Sequence, residues 1–328
     1  MSPVILTESD VRGVLAMPEL IEAMEAALVA YSTGRAQQPV RTVLEVGPDK
    51  AFFGVMPASL PELPALGAKL VTVFEGNAAR GLPTHLATIL LLDPQTGALL
   101  AQVDGRFITE VRTAAVSAVA TRLLAVPHAS TLGIIGSGVQ AGSHLDALRC
   151  VRPLARVRVW SPSIERRERF AAEAAGRSGL NVEVCGSAEA AVRDAELVVL
   201  ATSARTPVVR NRWIADGTHI CAVGACRPDQ QEMEPAILGR ARVFVDSRTG
   251  ALAESGDIRA AIAQGLLDGD AIAGEIGALA AGRLTGRQRP DQVTVFKSLG
   301  MAVEDVAAAY LAYSRAMARR RLGTGGLG

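Results

Sequence analysis

Apolar residues recur at helical spacing near the start of the chain. Thr7 and the acidic residues after it predict the N-terminus of a first helix, because a side-chain oxygen and negative charge stabilise that end. Met24, Leu28 and Tyr31 share one helical face and predict a second helix, from Pro18 to about residue 31. The chain therefore opens with two helices.

From Arg41 to about Val103 the apolar residues form short runs rich in β-branched and aromatic side chains. The predicted strands are residues 42–46, 51–55, 68–74, 87–93 and 98–103. Pro94 to Gly97 is typical of a turn that returns the chain to a neighbouring strand. These runs predict an α+β unit with a curved, largely antiparallel sheet.

The pattern changes after a helix of small residues predicted from Thr113 to about Leu124. Strands are then expected at residues 130–135, 156–160, 181–184, 197–202, 219–223 and 243–246. Helices between them, the first from Val139 and the next after Pro162, indicate a parallel sheet covered on both faces. A last helix, residues 301–320, is expected to pack on the first domain.

This organisation predicts an α/β fold with two domains, as the length of 328 residues favours. Residues 119–299 form a doubly wound parallel sheet, and residues 1–118 and 300–328 form a discontinuous α+β domain. The parallel-sheet domain is then an insertion between the two parts of the other.

A glycine-rich turn joins the first parallel strand to its helix. The run is Gly136, Ser137, Gly138, Val139, Gln140 and Ala141. Gly136 permits a tight turn, Gly138 lets the backbone approach a pyrophosphate, and Ala141 allows close helix packing. The helix N-terminus then offers free N–H groups to phosphates. The run predicts a Rossmann dinucleotide site, and the alternative is a strand-to-helix turn that binds nothing.

The end of the second parallel strand bears on the choice between NADH and NADPH. NAD sites often carry an acidic residue there for the ribose hydroxyl, but none follows Trp160. Ser161, Ser163 and either Arg166 or Arg167 could accept a 2′-phosphate, which slightly favours NADPH. The alternative, that both arginines are only solvated helix residues, stays open.

Composition narrows the function classes further. Hydrophobic residues make up 49% and the net charge is +1, so a globular chain without a basic nucleic-acid surface is expected. No apolar run approaches the roughly 20 residues of a membrane span.

The cysteines and the start of the chain favour a cytoplasmic protein with reduced thiols. There are four cysteines without a CxxC pair, and the start lacks a secretory pattern. We expect no metal. The basic run at residues 319–321 is typical of a solvated helix end.

A series of motifs along the chain resembles the ornithine cyclodeaminase/mu-crystallin family. These motifs lie at residues 80–85, 93–97, 104–109, 112–118, 134–141, 223–225, 254–257 and 296–300. The resemblance spans roughly residues 5–315. It implies an oxidoreductase, a homodimer formed by the non-Rossmann domains, and amino acids or cyclic imino acids as substrates.

Charged residues of the first domain match the family's substrate site. The resemblance implies that Arg41 and Arg112 bind a carboxylate, to which the arginine fork is suited. Pattern alone favours the alternative, a solvated arginine at the end of an element. Lys69 lies in an otherwise apolar strand, where a half-buried amine can exchange a proton near pH 7. On pattern alone a solvent-facing lysine is equally compatible. His85, at a loop-to-strand junction, is a second candidate proton donor.

The resemblance also implies further ligand contacts. Met56 and Cys226 would line the substrate site. The additional cofactor contacts would be Thr113, Ala201, Thr202, Val223, Gly224, Ala225, Lys297 and Ser298.

Two departures from the cyclodeaminases of the family indicate a branch. Their glutamate before the Met-Pro pair is replaced by Gly54. The aspartate that they and the alanine dehydrogenases carry in the fifth-strand loop is replaced by Cys226. Neither residue readily acts as a base for an amine. The run from Gly224 to Asp229 is similar to the ketimine-reductase branch, in which hydride is delivered to a C=N bond that already exists.

The leading hypothesis is an NADPH- or NADH-dependent reductase of Δ1-pyrroline-2-carboxylate or Δ1-piperideine-2-carboxylate, giving proline or pipecolate. An ornithine cyclodeaminase or alanine dehydrogenase is the enzymatic alternative. A small-ligand binding protein of mu-crystallin type is the non-enzymatic one.

Overall fold

The computed structural model describes residues 2–47 and 51–324. The chain divides into two compact units: the first comprises Met1–Arg112 and Met301–Gly328, and the second Thr113–Gly300. The sequence places these boundaries at residues 118/119 and 299/300. The glycines at 325 and 326, which follow the basic run, lie outside the described residues.

The chain contains strands and helices in the following order. The strands are β1 (Val4–Leu6), β2 (Thr42–Val46), β3 (Ala51–Leu60), β4 (Ala65–Val73), β5 (His85–Leu92), β6 (Leu99–Asp104), β7 (Thr131–Ile135), β8 (Arg156–Trp160), β9 (Val182–Val184), β10 (Leu197–Leu200), β11 (His219–Ala222), β12 (Arg242–Val245), β13 (Gly274–Glu275) and β14 (Thr294–Lys297). The helices are α1 (Glu8–Val14), α2 (Met17–Ser32), α3 (Gly105–Leu124), α4 (Val139–Leu148), α5 (Ile164–Ser178), α6 (Ala188–Val192), α7 (Pro235–Arg240), α8 (Arg248–Glu254), α9 (Gly256–Ala263), α10 (Ile276–Ala280) and α11 (Ala302–Thr324).

The first unit is built on a six-stranded sheet of order β1-β6-β5-β4-β3-β2. Its pairs are antiparallel except that β1 runs parallel to β6, so the predicted, largely antiparallel sheet is confirmed. Buried and half-buried residues alternate along β3 and β4. Helix α11 packs on the buried face of these strands, as the sequence predicts. This packing buries the side chains on which the first unit's chemistry depends.

The second unit is a parallel eight-stranded sheet of order β13-β12-β14-β11-β10-β7-β8-β9. Its central strands are buried along their whole length, as a sheet covered on both faces requires. From β7 the chain runs outward through β8 and β9, and it then returns to the other side of β7 at β10. The strand order therefore reverses between β7 and β10, and doubly wound sheets bind their ligands outside the carboxyl ends of the strands at such a point.

The structure corrects the predicted start of the small-residue helix. Helix α3 begins at Gly105 rather than at Thr113, so Arg112 lies inside the helix and not before it. The side chain of Asp104 accepts a hydrogen bond from the amide of Phe107 at 3.2 Å, and this interaction caps the new N-terminus. The Asp-Gly pair, typical of a turn, thus starts a helix at this point.

Three short strands, β1, β13 and β14, are additions to the predicted set. The predicted first helix is confirmed, since the Thr7 hydroxyl accepts from the Asp10 amide at 3.3 Å and the Asp10 carboxylate accepts from the Thr7 amide at 2.9 Å. None of the helices in the described residues combines the length and the apolar character needed to cross a membrane.

Candidate functional site

Lys69 lies in the middle of the first unit's sheet, and strand register determines its neighbours. Met56 of β3 and Ile89 of β5 stand directly opposite it on either side. Since directly paired residues project to the same face of a sheet, the three form a row on the buried face. Lys69 is only 2% exposed, so the alternative of a solvent-facing strand lysine is wrong.

Two acids at the start of α11 pair with the buried cations. The Nζ of Lys69 lies 2.5 Å from Oδ2 of Asp305. Arg112 donates from Nε to Oδ1 of Asp305 at 2.9 Å and from Nη1 to Oε2 of Glu304 at 2.7 Å. Neither carboxylate is exposed at all. The two cations and two anions balance one another, which a buried cluster needs because each unpaired charge would be costly to desolvate.

The electrostatic surroundings favour a lysine that can exchange its proton. Burial lowers the pKa of Lys69 to about 8, Arg112 and Arg41 lower it further, and Asp305 opposes them. Burial alone would raise the pKa of Asp305, but Arg112 and Lys69 hold it below its ordinary value, so it stays ionised. At neutral pH Lys69 is therefore a protonated amine whose pKa lies close to the surrounding pH, as a general acid requires.

His85, the other candidate proton donor, is the first residue of β5 and stands opposite Val73. Since Val73 and Lys69 are four residues apart on one strand, His85 lies on the same face of the sheet as Lys69. Burial lowers the pKa of His85 to about 4, and the positive charges of Lys69 and Arg112 add to this effect. Its imidazole is neutral near pH 7 and then carries no proton to spare as an acid.

Arg41 and Gly54 lie close to this row. Arg41 is half-buried just before β2, and the β2–β3 register continued by one residue places it opposite Met56. Gly54 is two residues from Met56 along β3 and therefore shares its face. A Cβ added at Gly54 would come within 3.0 Å of Cγ1 of Val71. Substrate-site candidates Arg41, Met56, Lys69, His85 and Arg112 all belong to the first unit.

The glycine-rich run of the second unit forms the turn between β7 and α4. Gly136 has a φ of +119°, and an added Cβ would come within 2.5 Å of the Ala201 carbonyl oxygen, so only glycine fits. Gly138 is the N-cap of α4 and makes no side-chain capping bond. Ala141 is fully buried, whereas Val139 is 60% exposed. The helix start thus fits a pyrophosphate group, which its N–H groups can bind.

Ser161 follows β8, at the position where dinucleotide sites contact the ribose hydroxyl or its 2′-phosphate. Its hydroxyl accepts from the Ser137 hydroxyl at 2.9 Å and donates to the Ser163 carbonyl at 3.2 Å. Ser163 caps α5 by accepting from the Arg166 amide at 3.2 Å. The Arg166 side chain is exposed, whereas neighbouring Arg167 is buried and donates to the Ser161 carbonyl. Of these two arginines, Arg166 has the exposed side chain, whereas the prediction that Arg167 is solvated or free for a phosphate is wrong because it is buried against the protein's own backbone.

One buried carboxylate, Glu232, connects the loops after β10 and β11. Its Oε1 accepts from the amide of Thr202 at 2.6 Å and from the Thr202 hydroxyl at 2.9 Å. Its Oε2 accepts from the amides of Gly224 at 2.8 Å and Ala225 at 2.9 Å. Burial raises the pKa of Glu232, and the nearby Lys297 opposes this shift. Three predicted cofactor residues are therefore positioned by an acid that no sequence motif indicated.

Lys297 and Ser298, also predicted to contact cofactor, have protein partners of their own. The fully buried Lys297 places its Nζ 3.1 Å from Oδ2 of Asp257, whose other oxygen accepts from the Glu232 amide at 2.9 Å. Ser298 donates to Oδ2 of Asp246 at 3.0 Å. These bonds hold the end of β14 beside the other loop ends.

The remaining predicted contacts lie in the second unit. Thr113 is a buried residue of α3, and Ala201 and Val223 directly follow β10 and β11. Cys226 is half-buried; its thiol donates to the Val223 carbonyl at 3.2 Å and its amide donates to Oε1 of Gln230 at 3.1 Å. Cys226 thus belongs to a different unit from Lys69.

The residues missed by sequence reasoning are all acids. Glu304 and Asp305 stand in the first turn of α11, and Glu232 and Asp257 hold the loops of the second unit. Asp257 lies in the motif at residues 254–257, but the motif did not indicate its role. A pair of acids opening a helix is typical of exposed N-termini. One sequence feature could have identified Glu304 and Asp305 as buried: the residues around them are apolar on every side of the helix.

The family comparison covers nearly the whole chain. Residues 1–320 match the ornithine cyclodeaminase/mu-crystallin family. The chain is 42% identical over 316 residues to the ketimine reductase mu-crystallin of Mus musculus, a match that covers 95% of this chain and 97% of that protein.

Solved structures give the same result. The Thermococcus litoralis Δ1-pyrroline-2-carboxylate reductase in complex with NADH and L-proline matches with a TM-score of 0.94 and 38% identity, over 97% of this chain and 98% of that one. An archaeal alanine dehydrogenase dimer with bound NAD matches with a TM-score of 0.92 and 34% identity, over 98% of each chain. The likeness thus extends well beyond the dinucleotide-binding part.

Proposed function

This chain belongs to the ornithine cyclodeaminase/mu-crystallin family, and on that basis we propose that it is an NAD(P)H-dependent reductase of small cyclic 2-imino carboxylates. Δ1-Pyrroline-2-carboxylate and Δ1-piperideine-2-carboxylate are the proposed substrates, and L-proline and L-pipecolate the products. The T. litoralis relative that binds NADH and L-proline supports this substrate class.

One observation carries the choice of reaction. The sheet face that presents the buried Lys69 ammonium has Gly54 where the family's cyclodeaminases have a glutamate. Releasing ammonia from an amino acid needs a base for the amine, whereas reducing an existing C=N bond needs one proton and one hydride. A buried ammonium without that neighbouring carboxylate supports the second reaction.

Three cationic residues of the first unit have proposed roles in this reaction. Arg41 and Arg112 bind the substrate carboxylate, and Lys69 gives a proton to the ring nitrogen. A reduced nicotinamide held by the second unit would supply the hydride for the ring carbon that bears the carboxylate. Protonation makes the imine the better electrophile, because an iminium accepts hydride more readily. The C=N bond becomes a C–N bond, and the proton and hydride account for both added hydrogens. Lys69 is favoured over His85 as the donor, since the pKa of His85 is lowered to about 4.

The second unit would hold the cofactor. The N-terminus of α4, which has no side-chain cap, binds the pyrophosphate, and the loop ends held by Glu232 line the nicotinamide side. Exposed Arg166 supports use of NADPH as well as NADH, since a 2′-phosphate is an anion it can bind. Comparing kcat/KM for NADPH and NADH tests whether both cofactors are used.

We also propose a homodimer formed through the first unit. The edge strand β2 exposes Val43, Leu44 and Val46, which are 46%, 58% and 39% exposed. Apolar side chains on a sheet edge favour association unless a partner covers them.

A cytoplasmic location is proposed because all four cysteines carry free thiols, as a reducing compartment keeps them.

The likeness to an alanine dehydrogenase supports one alternative, the oxidative deamination of an amino acid. Purified protein should be assayed for NADH and NADPH oxidation with the two cyclic imines and with pyruvate plus ammonia. It should also be assayed for ammonia release from L-ornithine with catalytic NAD. Imine-dependent oxidation without ammonia release is expected. Cofactor oxidation with pyruvate plus ammonia, but with neither cyclic imine, would favour the dehydrogenase. Inactivity with every substrate would favour a binding protein.

A further inference from the structure

The carboxylate of Asp305 bridges the two cations of the first unit's site. Its Oδ2 lies 2.5 Å from the Lys69 ammonium of β4, and its Oδ1 accepts from Nε of Arg112 of α3. One buried side chain thus sets the separation between the proposed proton donor and the proposed carboxylate ligand. Both cationic side chains are therefore held in position by the same carboxylate.

The neighbouring acid Glu304 is placed differently, although it is equally buried. Its Oε2 accepts from Nη1 of Arg112 at 2.7 Å and from the Met301 amide at 3.1 Å. The carboxylate that meets the Lys69 ammonium is that of Asp305. The two acids therefore form a natural pair for comparison, since removing either charge disturbs Arg112, whereas removing that of Asp305 also takes away the counter-ion of Lys69.

We propose that Asp305 is a positioning residue that holds the Lys69 ammonium in place and keeps it protonated until the imine nitrogen takes the proton. This inference rests on the proposed reductase function. Asp305 acts through Lys69 and is not itself the group that transfers the proton.

The charges around Lys69 show why a counter-ion is needed. Burial lowers its pKa, and the positive charges of Arg112 and Arg41 lower it too, whereas Asp305 raises it. His85, on the same sheet face, is a neutral imidazole near pH 7 and supplies no counter-charge. Without the Asp305 carboxylate, burial and the two arginines favour the neutral amine, which has no proton to give.

The Lys69 ammonium has more N–H bonds than its ion pair with one carboxylate oxygen of Asp305 occupies. An ammonium group has three N–H bonds, and the contact with Asp305 uses one of them. Since Asp305 is also held by Arg112, the carboxylate cannot follow Lys69 if the lysine turns away. The bridge therefore limits the orientations of the remaining N–H bonds, and orientation of this kind contributes to the rate.

The first experiment compares Asp305→Asn with Glu304→Gln, using the pH dependence of kcat/KM for Δ1-pyrroline-2-carboxylate. We expect Asp305→Asn to lower kcat at neutral pH by about 10²-fold. In the wild type, kcat/KM should fall at alkaline pH as Lys69 loses its proton, and in Asp305→Asn this alkaline fall should begin about one pH unit or more lower. Glu304→Gln should raise KM and leave that fall where it is. An unmoved fall in Asp305→Asn, or equal shifts in both variants, would overturn the proposal.

A conservative variant guards against loss of folding. Asp305→Glu keeps the charge but changes its distance, so the alkaline fall should stay near its wild-type position while kcat decreases. A downward shift in Asp305→Glu as large as that in Asp305→Asn would mean that the charge is not what matters, and would contradict the proposal.

A second measurement does not depend on activity. The chain has only three lysines, Lys50, Lys69 and Lys297, so ε-¹³C-lysine labelling gives three resonances, which Lys69→Arg and Lys297→Arg variants assign. The Lys69 resonance should titrate at lower pH in Asp305→Asn than in wild type and in Glu304→Gln. If the wild type reduces no imine, the proposed function fails and this titration still decides whether Asp305 controls the Lys69 proton. Identical Lys69 titrations in all three proteins would refute that control.

Discussion

The Oε2 of Glu232 accepts a hydrogen bond of 2.8 Å from the backbone amide of Gly224. The same carboxylate also binds the Thr202 amide, so it fixes two loops that follow neighbouring parallel strands. An added Cβ at Gly224 would come within 2.1 Å of the Thr202 carbonyl oxygen, which shows how closely the two loops approach. A buried anion with this many N–H partners positions backbone rather than touching ligand.

We therefore expect Glu232→Ala to weaken NADH binding by about tenfold or more and to lower the free energy of unfolding by about 3–5 kcal/mol, because buried donors lose their acceptor. Fluorescence titration with NADH and urea denaturation measure the two effects. Glu234→Ala is the matched control, since Glu234 bonds the Asn211 amide instead of these loops. Equal cofactor affinity in wild type and Glu232→Ala would contradict this role.

Arg112 provides a test of the carboxylate site. Its guanidinium contacts Asp305 and Glu304 through different nitrogens, and a lysine ammonium cannot reproduce that fork. Arg112→Lys should raise KM for the cyclic imine by about 10–100-fold, the effect of losing a hydrogen bond to a charged group. The melting temperature serves as a control for folding. Unchanged KM in a folded variant would remove Arg112 from the substrate site.

The pH dependence of the reaction should report the Lys69 proton. Burial, with Arg112 and Arg41, lowers the pKa of Lys69 to about 8 despite Asp305. Because the donor must be protonated, kcat/KM should be level below about pH 8 and fall about tenfold per pH unit above it. Lys69→Met should lower kcat by about 10²–10⁴-fold and abolish this fall, while NADH still binds. A wild-type profile without an alkaline fall would exclude Lys69 as the proton donor.

Much of the fold was predictable because long apolar runs and turn residues alternate clearly. β7, an almost wholly apolar strand before Gly136, follows this rule, whereas β14 does not. β14 is four residues long and ends in Lys297, a buried charge that is paired with Asp257. Short-range pattern cannot reveal a partner that lies far along the chain. The early start of α3 was missed for a related reason, since Asp104 caps a helix where the sequence favours a turn.

The candidate site was predictable in its cations and not in its anions. Lys69 is conspicuous as a charge inside an apolar strand, and Gly136 as part of a spaced glycine run. Asp305 stands in a helix's first turn, where an acid is commonplace. Only tertiary packing brings it to Lys69, so no local pattern identifies the pair.

The dimer proposed for the first unit can be tested at its sheet edges. Leu44→Glu places a charge on edge strand β2 and should produce a monomer, because burying an unpaired carboxylate opposes association. Ile5→Glu is the matched control: Ile5 is 64% exposed on β1, the opposite edge of the same sheet, and this variant should stay a dimer. Size-exclusion chromatography with light scattering measures both masses. A dimeric Leu44→Glu protein would place the interface elsewhere.

A substitution at Cys226 distinguishes an imine reductase from a cyclodeaminase. Its thiol donates to the Val223 carbonyl at 3.2 Å, a bond that a serine hydroxyl can also make. If the enzyme reduces a preformed imine, no chemistry is required of position 226, and Cys226→Ser should keep kcat/KM within about twofold of wild type, the range of a neutral substitution. A cyclodeaminase would behave differently: it would release ammonia from L-ornithine with only catalytic NAD, and this position would matter strongly. The decisive measurement is therefore ammonia release by wild type and Cys226→Ser, made beside the imine assay. Ammonia release without net cofactor turnover, lost in Cys226→Ser, would replace the reductase assignment with a cyclodeaminase.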